Sequence, residues 1–195
     1  MGTADNSSSD VIDAAGFRFN VGIIIANAQN KFLLAKRLGQ NAWQFPQGGV
    51  LRGETPKEAM YRELEEELGL KPEHVDIVGS TRDWLRYRLP GKYIRRNSQP
   101  VCVGQKQKWF LLRLTGDESE LRFDSSDTPE FEDYRWVEQD VPPREVIFFK
   151  RRVYKRAIRE LSRLMEGDSP RRPFLRRRRS EETPPLEEQD GNATP

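Results

Sequence analysis

Apolar residues cluster or alternate along the chain in a way that predicts several short β-strands. Residues 21–26 form an apolar run of strand length, residues 27–30 are polar enough for a turn, and residues 31–37 resume the strand pattern. Within residues 85–89, apolar side chains alternate with two arginines, which is typical of a half-buried strand. Further strands are predicted at residues 75–82 and 101–114, with shorter candidates at residues 121–124 and 134–137.

Two other segments have the pattern of helices. The sequence TPKE at residues 55–58 is a capping box with proline at the first helical position, so a helix is predicted to begin near Pro56. Gly69 supplies the left-handed residue that commonly ends a helix. Residues 143–165 are again helical in pattern and strongly basic. Strands mixed with helices predict a fold of the α/β class.

The first predicted helix carries a cluster of carboxylates on one face. Residues three and four apart share a helix face, so Glu63, Glu66 and Glu67 fall within an arc of about 100°. Two such charges about 4 Å apart near a protein surface repel by roughly 4 kcal/mol before solvation and proton uptake relieve them. Divalent cations bound through oxygen remove that repulsion, and Mg2+ suits one or two carboxylates together with substrate phosphates. The helix therefore predicts a site for cations and a phosphorylated substrate.

The same helix lies within a longer motif. Residues 48–70, GGVLRGETPKEAMYRELEEELGL, match G-x5-E-x7-R-E-U-x-E-E-x-G-U, where U is aliphatic, at every fixed position. This motif is the Nudix box, so the chain resembles a family of metal-dependent diphosphate hydrolases. The resemblance implies an α/β/α sandwich in which a mixed sheet lies between helices. It also implies that Arg62 pairs with Glu54 to brace the loop against the helix, with Gly49 and Gly69 as further scaffold.

The resemblance implies a set of metal ligands and a base. The cofactor is expected to be Mg2+, with Mn2+ or another divalent cation as an alternative. Its ligands would be the carboxylates of Glu63, Glu66, Glu67 and Glu130 and the carbonyl group of Gly48. A water molecule, deprotonated with help from Glu63 or Glu67, would attack a phosphorus in line. Family members differ over which glutamate is the base, and we favour Glu63.

Several stretches outside the box resemble one subfamily, the bacterial RNA pyrophosphohydrolases and their close relatives that hydrolyse dinucleoside polyphosphates. The matching stretches are FRFNVG at residues 17–22, WQFPQGG at 43–49, AMYREL at 59–64, TRDWLRYRLP at 81–90, PVCVGQKQKWFLL at 100–112, TPEF at 128–131 and FKRRVY at 149–154. This resemblance implies removal of pyrophosphate from the 5′ triphosphate end of RNA, or of phosphate from a diphosphate end. Either reaction leaves a 5′ monophosphate, and in bacteria this step exposes transcripts to degradation.

The same subfamily resemblance implies which side chains contact the substrate. Arg18 and Arg37 would clamp phosphate oxygens as planar forks. Phe149 and Lys150 lie where the subfamily contacts the first bases of the RNA, and Ile147 would line the same cleft. An aromatic or guanidinium face stacked on an unpaired base contributes about 1–3 kcal/mol.

The net charge of +2 conceals an asymmetry along the chain. Residues 141–180 carry 14 Lys and Arg against four Asp and Glu, while residues 181–195 carry five acids and no base. The basic stretch could attract a polyanion. Composition and resemblance together predict a disordered N-terminal extension at residues 1–12, a Nudix domain at residues 13–165 and a disordered charged tail at residues 166–195.

Composition also indicates where the protein acts. The single cysteine, Cys102, permits no internal disulfide, which fits a reducing compartment. No apolar run approaches the ~20 residues of a membrane span, and the polar N-terminus has no apolar signal-peptide segment. We therefore expect a bacterial cytoplasmic enzyme that acts on single-stranded, 5′-phosphorylated RNA and does not bind membranes. An activating protein partner is left open.

Two other functions compete with hydrolysis of RNA ends. A dinucleoside polyphosphate hydrolase would share the box, but it would not need the basic sequence FKRR at residues 149–152. A catalytically inactive Nudix module that binds RNA or a protein predicts an eroded box, whereas this box retains every fixed position. The sequence therefore favours the RNA-directed enzyme over both alternatives.

Overall fold

The computed structural model describes residues 11–94, 97, 100–126 and 128–166. Within this part of the chain the strands are β1 (Phe17–Ala26), β2 (Phe32–Arg37), β3 (Trp43–Gln44), β4 (Gln47–Gly49), β5 (Val75–Ser80), β6 (Leu85–Arg88), β7 (Gly104–Leu114) and β8 (Phe131–Val137). The α-helices are α1 (Pro56–Leu68), α2 (Pro142–Glu145) and α3 (Arg151–Glu166).

A single mixed sheet contains these strands, and its centre is the parallel pair of β1 and β7. The other pairings are antiparallel: β2 and β4 pair with β1, β3 and β8 with β2, and β5 and β6 with β7. Gly48 lies opposite Val21 and Gly49 lies opposite Asn20. The sheet therefore fixes the start of the box to the middle of its central strand.

Alternate residues of β1 face opposite sides of the sheet and contribute to two separate cores. The core under α1 includes Val21, Ile23, Ile25, Met60, Leu64 and Leu68. The core under α3 includes Ile24, Phe45, Trp109, Tyr154, Ala157 and Leu161. Helices thus cover both faces of the mixed sheet, which confirms the predicted α/β/α sandwich.

Helix α1 begins and ends where the sequence predicts. The hydroxyl of Thr55 accepts from the backbone N–H of Glu58 at 3.2 Å, and the Glu58 carboxylate accepts from the N–H of Thr55 at 2.8 Å. Gly69 ends the helix in the left-handed conformation, with φ of 68°. An N-cap of this kind stabilises a helix by about 1 kcal/mol. Both ends of the helix that carries the carboxylates are therefore fixed by local sequence.

The predicted helix at residues 143–165 is broken into two. Helix α2 has four residues, after which Val146 takes extended backbone with ψ of 151° and Ile147 also leaves the helical region, with ψ of 137°. Helix α3 begins only at Arg151, after a 3-10 turn. Val146 is buried in the core under α3, so packing of this side chain favours a break that helical periodicity does not reveal. The break also turns Lys150 inward at the start of α3.

The strand predicted at residues 121–124 is wrong. Within the described part of the chain these residues pair with no strand, although Leu121 and Phe123 pack half-buried against the core under α1. The alternation of apolar and polar residues here reflects a loop with one side on the core. Periodicity alone does not separate such a loop from an edge strand.

The boundary at residue 12 is also corrected. The backbone N–H of Val11 donates to the carbonyl of Val50, and Ile12 forms an isolated bridge with Arg18. Both residues therefore belong to the folded domain. Their contacts are made by backbone groups, which the polar composition of the segment does not reveal. Residues 1–10 and 167–195 lie outside the described residues, so disorder there stays a prediction. Among the helices that the structure describes, none is long and apolar enough to cross a bilayer.

The hydroxyl of Tyr154 ties α3 to the segment before the box, since the N–H of Phe45 donates to it at 3.1 Å and both side chains are buried. Tyr154→Phe leaves that buried N–H without this acceptor, so we expect the free energy of unfolding to fall by about 1–3 kcal/mol. Urea unfolding followed by circular dichroism measures the change. Tyr61→Phe, at a half-buried position on α1, is the matched control, and an equal loss in both variants would contradict this role.

Candidate active site

Four carboxylates border one cavity beside α1. The cavity has a volume of about 500 Å³ and is lined by Glu63, Glu66, Glu67, Ser125, Ser126, Thr128 and Glu130. Glu67 is only 5% exposed, whereas Glu66 and Glu130 are exposed. The structure therefore brings Glu130, which directly precedes β8, to the three glutamates of the helix.

Arg62 joins the loop before α1 to the helix. Its guanidinium donates to both carboxylate oxygens of Glu54, at 2.8 and 3.0 Å, and to the carbonyl of Gly49 at 2.7 Å. The opposite nitrogen donates to Glu63 at 2.7 Å and to Glu66 at 3.1 Å. The contact with Arg62 lowers the pKa of Glu54, and the same pair raises the pKa of Arg62. Arg62 and Glu54 thus lie together, as the family resemblance implies.

Gly48 allows the carboxylate of Glu63 to approach the sheet. A Cβ atom on Gly48 would lie 1.7 to 1.9 Å from the carboxylate atoms of Glu63. That distance is far inside any permitted contact, and the opposing group is not a freely movable end because Arg62 holds it. Glycine at this position is therefore required by the position of Glu63.

Burial dominates the electrostatics of the carboxylates. Burial raises the pKa of Glu67 well above its usual value, and the charges of Glu63 and Glu130 raise it further. The backbone N–H of Gln47, which donates to Glu67 Oε2 at 3.0 Å, opposes this rise, as does the charge of Lys150. Burial also raises the pKa of Glu63, against the opposing effect of Arg62. The cavity thus favours either protonation or a positive charge beside these groups.

The chemistry of the cavity fits a divalent cation. Glu67 Oε1 is buried without a hydrogen-bond partner among the described residues, which is costly for a charged oxygen unless a cation or proton approaches it. Carboxylates are the ligands that Mg2+ prefers. In the described part of the chain, however, no three acidic, His or Cys side chains converge closely enough to hold an ion as they stand. Glu63 and Glu66 turn instead toward Arg62, which competes for their oxygens.

A buried network of side-chain amides holds Lys150. The ammonium group donates to Gln47 Oε1 at 2.9 Å and to Gln44 Oε1 at 3.4 Å. Because an ammonium group only donates, both amides must present their oxygens to it. Gln107 then donates through its amide nitrogen to Gln47 Oε1 at 3.3 Å and to Asn20 Oδ1 at 2.7 Å. The charge of Lys150 therefore fixes the orientation of every amide in the network.

Two further cations lie near this network. Burial lowers the pKa of Lys150 to about 8, and the nearby charge of Arg37 acts in the same direction. The Nε atom of Arg37 is buried and has no hydrogen-bond partner among the described residues. Arg18 lies close enough to Tyr87 to lower the pKa of its phenol, against the stronger opposing effect of burial. Positive groups thus extend from the carboxylate cavity toward β6.

The aromatic residues before α3 lie at the edge of the core. The ring of Phe149 is 5.7 Å from that of Tyr87 and 5.2 Å from that of Tyr93, centroid to centroid. Phe149 is half-buried against the core under α3, whereas Phe148 is 58% exposed and Ile147 is 39% exposed. Phe149 therefore packs against the core under α3, in addition to preceding Lys150 in the chain.

Sequence reasoning did not identify the four amide residues as part of the site. Gln44 and Gln47 stand in WQFPQGG, and Gln107 stands in PVCVGQKQKWFLL. Both stretches resemble the subfamily, and this resemblance was the signal that could have pointed to these amide residues. The hydrogen bonds themselves join residues 60 to 106 positions apart, so no local pattern reveals them.

The chain belongs to the Nudix family, since residues 16–157 match the NUDIX domain. An RNA pyrophosphohydrolase from Thioalkalivibrio sulfidiphilus is 61% identical over 155 residues, which cover 80% of this chain and 90% of that protein. An RNA pyrophosphohydrolase from Alkalilimnicola ehrlichii is 56% identical over 175 residues, which cover 89% of this chain and 97% of that protein.

Solved structures with low sequence identity have the same fold. The E. coli dihydroneopterin triphosphate pyrophosphohydrolase matches with a TM-score of 0.56 at 18% identity, over 71% of this chain and 92% of that chain. A C. elegans Ap4A hydrolase matches with a TM-score of 0.55 at 21% identity, over 76% of this chain and 98% of that chain. At these identities the likeness shows a shared architecture.

Glu67→Gln is expected to stabilise the protein in buffer without divalent cations. The pKa of Glu67 is raised in the folded state, so the wild type loses stability as pH rises from the unfolded value of about 4.3 through the folded value. The variant carries no such ionisation, and its melting temperature should exceed that of the wild type at pH about 8, with the difference shrinking toward pH about 4.

Differential scanning calorimetry across this pH range measures the difference. Glu65→Gln is the control, because Glu65 is exposed and its charge should make little difference at either pH. A melting temperature of Glu67→Gln at or below that of the wild type at the higher pH would show that ionised Glu67 does not strain the fold.

Proposed function

We propose that this protein is a Mg2+-dependent RNA 5′ pyrophosphohydrolase. It converts 5′-triphosphate or 5′-diphosphate RNA ends to 5′ monophosphates and so initiates mRNA decay in the bacterial cytoplasm. The observation that carries the proposal is the 61% identity, over 80% of the chain, to a protein named RNA pyrophosphohydrolase. The carboxylate cavity beside Lys150 supports it, because a polyphosphate needs both cations and cationic side chains around it.

The cation would be held by Glu63, Glu66, Glu67 and Glu130 with the carbonyl of Gly48, and Mg2+ is our assignment, with Mn2+ as the alternative. Such a cation would supply positive charge to stabilise the phosphates and would make a water molecule easier to deprotonate. Arg62, itself fixed by Glu54, holds Glu63 and Glu66 on the cavity side of the helix. Gly49 and Gly69 complete this scaffold, one as the acceptor for Arg62 and one as the end of the helix.

Glu63 is our candidate for the general base, with Glu67 as the alternative. Burial raises the pKa of both carboxylates, and a base is most effective when its pKa approaches the working pH. Arg62 holds Glu63 through Oε1, so Oε2 is the oxygen that we assign to the proton of the attacking water. The water oxygen bonds to a phosphorus of the anhydride as the bridging P–O bond on the opposite side breaks.

The remaining residues would hold the RNA. Arg18 and Arg37 are assigned to phosphate oxygens, and Lys150 and Phe149 to the first nucleotides. Ile147, which is 39% exposed, would line the same cleft. The buried amides that hold Lys150 support this assignment, because they leave its ammonium group oriented beside Glu67 rather than free in solvent.

Turnover of a 5′-triphosphorylated RNA and of a diadenosine polyphosphate, compared at equal concentration with Mg2+, tests the proposal. We expect pyrophosphate release and a 5′-monophosphorylated RNA product, at a higher kcat/KM than for the dinucleotide. If only the diadenosine polyphosphate reacts, the protein would instead be a dinucleoside polyphosphate hydrolase. Release from neither substrate would support a binding module without activity.

Glu67→Gln is expected to lower Mg2+-dependent pyrophosphate release at least about 100-fold, because a lost ligand removes several kcal/mol of transition-state stabilisation. Initial rates with triphosphorylated RNA measure the loss, and Glu65→Gln serves again as the exposed control. Equal rates in wild type and Glu67→Gln would remove Glu67 from the ligand set.

Lys150→Met is expected to raise KM for triphosphorylated RNA about tenfold or more, because a hydrogen bond to a charged group stabilises by about 1.5–3 kcal/mol. Steady-state kinetics measure the change, and Lys71→Met, at an exposed position after α1, is the control. A loss confined to thermal stability, with KM unchanged, would assign Lys150 to the fold rather than to the substrate.

A further inference from the structure

Four arginines form a stripe along the exposed face of α3. These residues, which we call the arginine stripe, are Arg152, Arg156, Arg159 and Arg163, and all four are exposed. Their spacing of four, three and four residues places them on one side of the helix over about 16 Å. The opposite side of α3 packs into the core through residues such as Val153, Ala157 and Leu161.

A groove runs between the arginine stripe and the neighbouring sheet edge. One concavity, of about 330 Å³, is lined by Trp84, Leu85, Arg86, Arg152, Val153 and Arg156. A second concavity, of about 450 Å³, is lined by Arg82, Asp83, Arg156, Arg159, Glu160 and Arg163. Because Arg156 lines both, the two concavities adjoin each other along α3.

The groove is positively charged, because its lining holds six arginines against two acidic residues. Asp83 and Glu160 line it together with the arginines, and both already have partners. Arg156 lies 3.4 Å from Asp83, and the backbone N–H of Arg82 donates to Glu160 at 2.6 Å. Like charges three and four residues apart destabilise a helix, and Glu160, four residues after Arg156 and three before Arg163, offsets only part of this repulsion within the stripe. A polyanion in the groove would relieve this repulsion.

The groove begins close to the segment that carries Phe149 and Lys150, since Arg152 lines its first concavity. Phe149 beside Lys150 contacts Tyr87 of β6. From there β6 runs back through Leu85 to the loop at Arg82, while α3 runs forward along the same side. An RNA whose first nucleotides lie at Phe149 and Lys150 would therefore reach this groove with the nucleotides that follow.

We propose that the groove along the arginine stripe binds the phosphates of single-stranded RNA downstream of the 5′ end. This inference rests on the proposed function, because the 5′ end must lie in the carboxylate cavity. The stripe would lengthen the footprint beyond the first nucleotides and increase affinity without reading sequence, since phosphate contacts position a strand but carry no base information. An RNA of two nucleotides would gain nothing from it.

Arg159→Gln with Arg163→Gln tests the groove at positions remote from the chemistry, nine and 13 residues beyond Lys150 in the chain. The control is Lys31→Gln with Lys71→Gln, which removes the same charge elsewhere on the surface. Binding of an unstructured 5′-hydroxyl RNA of ~12 nucleotides is measured by fluorescence anisotropy over a range of salt concentrations. We expect Kd to rise about fivefold and the slope of log K against log salt to fall by about 1.4.

KM measurements separate this inference from the proposed function. In the wild type, KM for a triphosphorylated RNA of ~12 nucleotides should be lower than for a triphosphorylated dinucleotide, and the stripe variant should remove that difference. If the wild type hydrolyses the triphosphorylated dinucleotide and its KM is the same for both RNA lengths, RNA binding in the groove would be contradicted. The proposed function would then still stand. Equal losses in the stripe variant and in the control would also contradict RNA binding in the groove, because net charge alone would then explain binding.

Discussion

The guanidinium of Arg62 is the contact on which the candidate active site depends. It binds Glu54 through two nitrogens, the carbonyl of Gly49 through one of these, and Glu63 and Glu66 through the third. A strand end, a loop and a helix face are thereby held by one planar group. Lysine could not replace it, because an ammonium group is a point charge without the fork that meets a carboxylate at two atoms.

The site works against the stability of the domain around it. Burial raises the pKa of Glu63 and Glu67, which means that their ionised forms are disfavoured inside the fold. The capped ends of α1 and the core beneath it offset this cost locally. Gly48 is also set by the site, since a side chain there would displace Glu63 from its position. A destabilised cluster of anions is also what gives a cation its affinity for this place.

Sequence reasoning succeeded where the determining contacts are local. The ends of α1 and the shared face of Glu63 and Glu67 follow from residues within four positions of each other, which a single sequence displays. It failed at residues 121–124 and at the break before α3, where burial of Val146 and the core contacts of a loop decide the backbone. The amides around Lys150 were missed because each bond joins distant segments of the chain.

Gln47 connects the chemistry to substrate recognition. Its backbone N–H donates to Glu67, and its side-chain oxygen accepts from Lys150. Glu63, Glu66 and Glu67 belong to α1 on one face of the sheet, while Lys150 directly precedes α3 on the other. Since β4 pairs with the central strand, Gln47 stands where the two faces meet. One residue thus joins Lys150 to the most buried carboxylate, through its side chain on one side and its backbone on the other, so a shift of Lys150 would act on the residue that positions Glu67.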